Sequence, residues 1–225
     1  MSDITLWSSE KGSGEALILL HGNGEDSSYF EHQIDFFSPY YRVIAVDTRG
    51  HGKSPRGSGE FTLSRFADDL YDFMLSKSID KAHILGFSDG ANIAILFALK
   101  HPESVGKLIL NGGNIFPMGL KPAALNEIIH DWNIARRKPH LKGEEELLSL
   151  MVKEPKLKWD DLKKIRNDAL VIVGEDDLIR RSHSEKIASS LPNGIFSEIE
   201  GGHDIAFSNS EEFNNIVISF LRNEG

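Results

Sequence analysis

The chain has 225 residues, 40% hydrophobic and 26% charged, which suits one globular domain with a modest insertion and a sizeable core. Its formal net charge of −9 has the wrong sign for nucleic acid or an anionic membrane as a partner, and the lack of cysteine excludes a disulfide framework and any thiolate metal site or nucleophile. No apolar run approaches the roughly 18 residues of a membrane span, and Met1–Leu6 lacks the basic-then-apolar pattern of a secretory leader, so a soluble, cytoplasmic protein is expected.

Ile4–Trp7 is predicted to be a first strand, followed by a polar turn through Gly12 and Gly14. Ala16–Leu20 is a continuous apolar run, the mark of a strand covered on both faces, and it ends in the glycine-rich loop His21–Gly24. Residues 29–37 read as a helix, Arg42–Val46 as the next strand, and Asp47–Ser54 as a second glycine-rich loop. A helix is predicted over 63–75, with Phe66, Leu70, Phe73 and Met74 on its apolar face. Ala82–Phe87 is a strand that breaks at Gly86-Phe87-Ser88-Asp89-Gly90 and continues into helix-forming sequence through Lys100, and Leu108–Leu110 is a further strand.

Residues 118–168 change character: strand runs vanish and charged helical patterns take over around 123–132, 144–151 and 160–165. They read as a helical insertion between core segments 1–117 and 169–225. Ala169–Val173 resumes the strand pattern, and Ser182-x-x-Glu185 predicts a capping box for a helix through Leu191. Ile195–Ile199 is a last strand, and residues 211–221 a closing helix. Strands alternating with helices imply a mainly parallel sheet wrapped on both faces.

Ser88 is the candidate nucleophile. A strand that turns into a helix within one or two residues strains the turning residue, and flanking glycines leave room for it; the hydroxyl then projects above a helix N-terminus. A serine needs a base, and the base needs a carboxylate to fix its tautomer. In a parallel sheet such groups gather past the C-terminal ends of strands. His203, in the glycine-rich loop after the last strand, satisfies that condition. The carboxylate must come from Glu175, Asp176 and Asp177, which follow Val173; Asp177 is chosen, with Asp176 as the alternative.

Ser88, Asp177 and His203, in that chain order, resemble the triad of the α/β-hydrolase superfamily. The His21–Gly24 loop, the Asp47–Ser54 run, the Gly86–Gly90 elbow and the Gly-x-x-Asp pattern at Gly174–Asp177 are all similar to that family's motifs, and the likeness extends over the whole chain. It implies an α/β-hydrolase fold with a short helical cap at 118–168. It also implies an oxyanion hole made by the backbone N–H groups of Asn23 and Asp89, and a small-molecule ester as substrate, with no metal or organic cofactor. Ala91 departs from the family, which commonly has a second glycine there. Asp89 is unusual beside a nucleophile: it suits a helix N-terminus, and it could also select a substrate carrying a positive amine, since Gly86–Gly90 resembles the elbow of the valacyclovir-hydrolase-like branch. Hydrolysis of a C–C bond or a lactone by the same triad, or a slow-turnover ligand-binding protein on the same fold, are the rival expectations. Gly22–Ser27 lacks the last glycine of a dinucleotide fingerprint, and Gly52-Lys53-Ser54 lacks the first glycine of a P-loop.

Overall fold

The computed structural model describes residues 2–223. The strands are β1 (Ser8–Lys11), β2 (Ala16–Leu20), β3 (Arg42–Val46), β4 (Ala82–Phe87), β5 (Val105–Asn111), β6 (Ala169–Gly174) and β7 (Gly194–Ile199). They form one sheet in the order β1-β3-β2-β4-β5-β6-β7. Only β1 runs antiparallel to its neighbour; the other pairings are parallel. The helices are α1 (Glu31–Phe37), α2 (Leu63–Ser76), α3 (Asp89–Lys100), α4 (Pro122–Ala135), α5 (Lys142–Lys153), α6 (Trp159–Leu162), α7 (Arg181–Ser190), α8 (Ile205–Ser208) and α9 (Ser210–Arg222). This is the α/β-hydrolase architecture.

The continuous apolar runs have a direct cause. Ile18, Leu20, Ile44 and Val46 pack with α2 and α3 on one face of the sheet, while Leu17, Leu19, Val43 and Ala45 pack with α1 and α9 on the other. Alternate side chains of each strand therefore enter two different cores, and neither face can be polar.

Three expectations are corrected. The first strand lies at Ser8–Lys11 rather than Ile4–Trp7, because the edge strand is set by antiparallel register with β3, Ser8 opposite Val46 and Lys11 opposite Val43. Leu6 is instead a buried anchor of the core. The helix expected from residue 29 opens as a single 3₁₀ turn over Ser27–Phe30, fixed by the Asp26 carboxylate accepting the Ser28 N–H at 2.8 Å. The Ser182–Glu185 capping box does not form. Helix α7 starts two residues earlier, with Arg180 as an extended N-cap whose carbonyl accepts the N–H groups of His183 and Ser184, so Ser182 already lies inside the first turn.

Within residues 118–168, the helices do not all stand apart from the sheet. Leu150, Leu162 and Ile165 join the core on the α2–α3 face, whereas Leu125 of α4 packs in a small separate cluster with Leu120 and Ile179. No helix among the described residues is long and apolar enough to cross a membrane.

Candidate active site

Ser88 joins β4 to α3 with φ 52° and ψ −117°, a left-handed conformation that few non-glycine residues adopt. Its N–H donates to the Asn111 carbonyl at 2.8 Å, tying the elbow to the end of β5. The glycines on either side are required by close approach: a β-carbon at Gly86 would lie 2.3 Å from the Gly90 carbonyl oxygen, and one at Gly90 only 2.0 Å from that of Leu20. Ala91 is fully buried, and its methyl group fits because Gly113 faces it.

The structure brings the three predicted side chains together. Ser88 Oγ lies 3.0 Å from His203 Nε2, and His203 Nδ1 lies 2.8 Å from Asp177 Oδ1. An ionised carboxylate only accepts, so Nδ1–H donates to Asp177 and Nε2 is left to accept the serine proton. Asp177 Oδ1 also takes the Ile179 N–H at 2.8 Å, which locks the carboxylate within its own turn. Asp177 is 2% exposed, while Glu175 and Asp176 point to solvent; Asp176, the alternative acid, is not in the hydrogen-bonded chain.

Among the described residues, the backbone N–H groups of Asn23 and Asp89 donate to no protein acceptor. Both belong to residues that line the cavity in front of Ser88. The loop carrying Asn23 is braced from beneath by two buried histidines. His21 Nε2 accepts the Thr48 N–H at 3.0 Å, which leaves Nδ1–H to donate to the Gly22 carbonyl at 2.7 Å. His51 Nε2 accepts the Gly24 N–H at 3.2 Å, while its Nδ1 faces the Arg49 carbonyl at 3.0 Å. Burial, helped by neighbouring His51, holds the His21 pKa down to about 4, and burial also lowers that of His51. Both rings are therefore neutral braces. The Asp47–Ser54 run has the same purpose: Asp47 accepts the N–H groups of Ser27 and Lys53, each at 2.8 Å, and Arg49 is clamped by Asp69.

Asp89 is 7% exposed. Its Oδ2 accepts from Asn23 Nδ2 at 2.8 Å and its Oδ1 from Asn92 Nδ2 at 3.1 Å; burial still raises its pKa despite these bonds. The amide chain continues from Asn92 to Asn114 at 3.0 Å and from Asn114 to the Phe116 carbonyl at 2.9 Å. Asn23 also donates to the Leu147 carbonyl of α5 at 3.0 Å, joining this network to the insertion. Sequence reasoning missed Asn92, Asn114 and Glu25, which share the site with the residues it found.

The cavity over Ser88 has a volume of about 170 Å³. The loops at the strand ends line it with Gly22, Asn23, Glu25, Phe87, Asp89, Asn114, Leu178, Ile179 and His203, and the 118–168 segment with Leu120, Ile128 of α4 and Met151 of α5. It contains two carboxylates, Glu25 and Asp89, and no lysine or arginine. A larger open groove of about 720 Å³, between β7 and α9, holds no histidine to activate a nucleophile and is not this site.

The profile describing the alpha/beta hydrolase fold matches residues 15–136. A 2-hydroxy-6-oxononadienedioate/2-hydroxy-6-oxononatrienedioate hydrolase of Burkholderia vietnamiensis is 30% identical, over 95% of this chain and 89% of its own. The proposed carbamate hydrolase RutD of Yersinia enterocolitica is 27% identical, over 93% of this chain and 88% of its own. Among solved structures, a thermophilic esterase from Thermogutta terrifontis superposes with a TM-score of 0.80 at 24% identity, covering 97% of this chain and 93% of that one. With the profile covering more than half its length and full-length likeness to hydrolases on either side, the chain belongs to the α/β-hydrolase family and is a hydrolase.

Proposed function

We propose that this hydrolase cleaves a small ester through an acyl-enzyme on Ser88. The observation that carries the reading is the unbroken chain Ser88–His203–Asp177, opening on a cavity beside two unspent backbone N–H groups. His203 Nε2 takes the serine proton as Oγ attacks the ester carbonyl, and Asp177 steadies the imidazolium. The N–H groups of Asn23 and Asp89 receive the oxyanion, each contributing about 2.7–4 kcal/mol to the transition state. His203 then hands its proton to the alcohol oxygen as the C–O bond breaks. A water, deprotonated by the same ring, releases the acid and restores Ser88. Protein groups and water supply every step.

The cavity narrows the substrate. About 170 Å³ is close to the roughly 150 Å³ of an apolar cavity that admits benzene, so the enclosed part suits a small acyl group. Asp89 is the proposed selector for a positively charged acyl group, because each of its oxygens has accepted one amide hydrogen and can accept another.

A second reading, C–C bond hydrolysis, draws on relatives named for dienedioate substrates. Two carboxylates and no cationic side chain in the cavity weigh against a doubly anionic substrate here.

Turnover of p-nitrophenyl acetate and labelling by a fluorophosphonate test the ester reading. Ser88→Ala is expected to lose at least about 10⁴-fold in kcat and all labelling, with the fold intact. Equal labelling of both proteins would remove Ser88 from the mechanism.

A further inference from the structure

The two carboxylates of the cavity differ in how they are held. Asp89 is held at both oxygens, by Asn23 on one and Asn92 on the other, and its surroundings face the insertion through Leu147 and Glu154. Glu25 is half-held. Its Oε2 accepts the Gly22 N–H at 3.0 Å, and among the described residues Oε1 takes no hydrogen bond from the protein.

Glu25 also sits on a definite side of the nucleophile. Among the charges that act on it are those of His203, Asp204 and Asp26. A β-carbon on Gly22 would lie 3.0 Å from Glu25 Oε2 and 3.1 Å from the ring of Phe87, so carboxylate and aromatic ring flank one spot. Phe87 in turn lies 4.9 Å, centroid to centroid, from His203. His203 protonates the departing alcohol oxygen, so the alcohol half of the substrate must lie beside that ring. Glu25 and Phe87 are what it meets there.

A partly buried carboxylate with a free oxygen beside an aromatic ring, in a cavity without lysine or arginine, suits an ammonium group. We propose that Glu25 is a specificity-determining residue that binds a positive charge on the alcohol half of the ester, so that the substrate is the ester of an amino or quaternary-ammonium alcohol. This rests on the ester reading above. In the first step Ser88 Oγ bonds to the carbonyl carbon, its proton passes through His203 to the alcohol oxygen, and the alcohol leaves with its cation unchanged. Hydrolysis of the acyl-enzyme consumes one water and releases the acid.

The test uses two acetate esters of the same shape, those of 2-(trimethylammonio)ethanol and 3,3-dimethylbutanol, which differ in charge. Wild type is expected to favour the charged ester in kcat/KM by about tenfold. Glu25→Gln keeps an acceptor for Gly22 N–H and removes the charge; the ratio should fall to about one, with the change seated in KM. A measurement on the wild type alone backs it: 2-(trimethylammonio)ethanol should inhibit p-nitrophenyl acetate turnover competitively, and more strongly than 3,3-dimethylbutanol. Ser88-dependent hydrolysis of both esters at equal efficiency, or a ratio untouched by Glu25→Gln, overturns the role of Glu25 and leaves the ester reading standing. Hydrolysis of neither, or hydrolysis that survives Ser88→Ala, overturns the ester reading itself.

Discussion

Below Ser88, nine of the twelve residues of α3 are buried, and each loop of the site ends a strand whose side chains fill two cores. Above it, α4 buries only Leu125 and Ala135, and α5 only Leu150. The roof is fastened instead by a few polar links: Asn23 to the Leu147 carbonyl, the Arg56–Glu146 ion pair, and the Leu63 N–H to Glu154 at 2.7 Å. Elements held by few apolar contacts open at lower free energy than those in a core. The difference teaches that the residues around Ser88 and the helices that close the cavity sit on parts of unequal stiffness. The floor can hold the triad steady while the roof and rim vary.

The strongest way to sharpen that contrast is to disable the floor chemically without loosening it. Asp177→Asn keeps the size of the side chain and the acceptor for Ile179 N–H, but removes the anion that fixes the His203 tautomer. It should lower kcat by about 10⁴-fold with little change in KM or melting temperature. A rise in KM at constant kcat would mean that Asp177 shapes the pocket and does not orient the base. A smaller effect separates the core-bound part of the insertion from its roof. Leu162 is fully buried against the α3 side, so Leu162→Ala should cost about 2–5 kcal/mol in chemical denaturation. Leu125→Ala, in the three-residue cluster of the roof, should cost clearly less. Equal losses would erase the distinction between floor and roof.

The smallest expected effect probes the joint. His183 of α7 accepts the Ile115 N–H at 3.2 Å and packs against Phe116 and Trp159, where the chain enters and leaves the insertion. Burial, with Arg180 and Lys186 near it, holds its pKa down to about 4 from 6.5. Between those values the unfolded chain binds more protons than the native one. The contribution is therefore fully present above pH 6.5 and is lost as pH falls toward 4. The slope is about 1.4 kcal/mol per pH unit in mid-window. His183→Gln keeps an acceptor and does not titrate, so its stability should fall less steeply with acid by that share. His21, also held near 4, and His51 and His83, both lowered by burial, add slope of the same sign in both proteins. Parallel stability curves for wild type and variant would show that His183 does not carry the effect.

The legibility of the chain follows the same division. β2 and β3 could be read to the residue because both faces of each are covered, which leaves an uninterrupted apolar run between polar residues. β1 could not, since an edge strand with the sequence Ser-Ser-Glu-Lys owes its place to the register of β3 rather than to its own side chains. Ser88 and His203 were visible because strand ends and glycines mark such positions locally. Asp177 stood out from Asp176 only through a family pattern; in space it is the buried one. The pairing of Asn23 with Asp89 spans 66 positions and that of Asn92 with Asn114 spans 22, and no local rule joins residues so far apart. Glu25 was hidden for a different reason: a glutamate in a polar loop looks like any solvated one until the cavity beside it is known.

The fit of Ala91 against Gly113 bears on how this sequence can change. A methyl group at 113 would come within 2.8 Å of the methyl already at 91, and neither is the yielding end of a long side chain. The two positions thus share room for a single methyl, and substitutions there are ordered in time: a lineage must give up the one at 91 before it can acquire one at 113. The Ala91 that departs from the family's second glycine is therefore half of a pair, and its history is written at a position 22 residues further along.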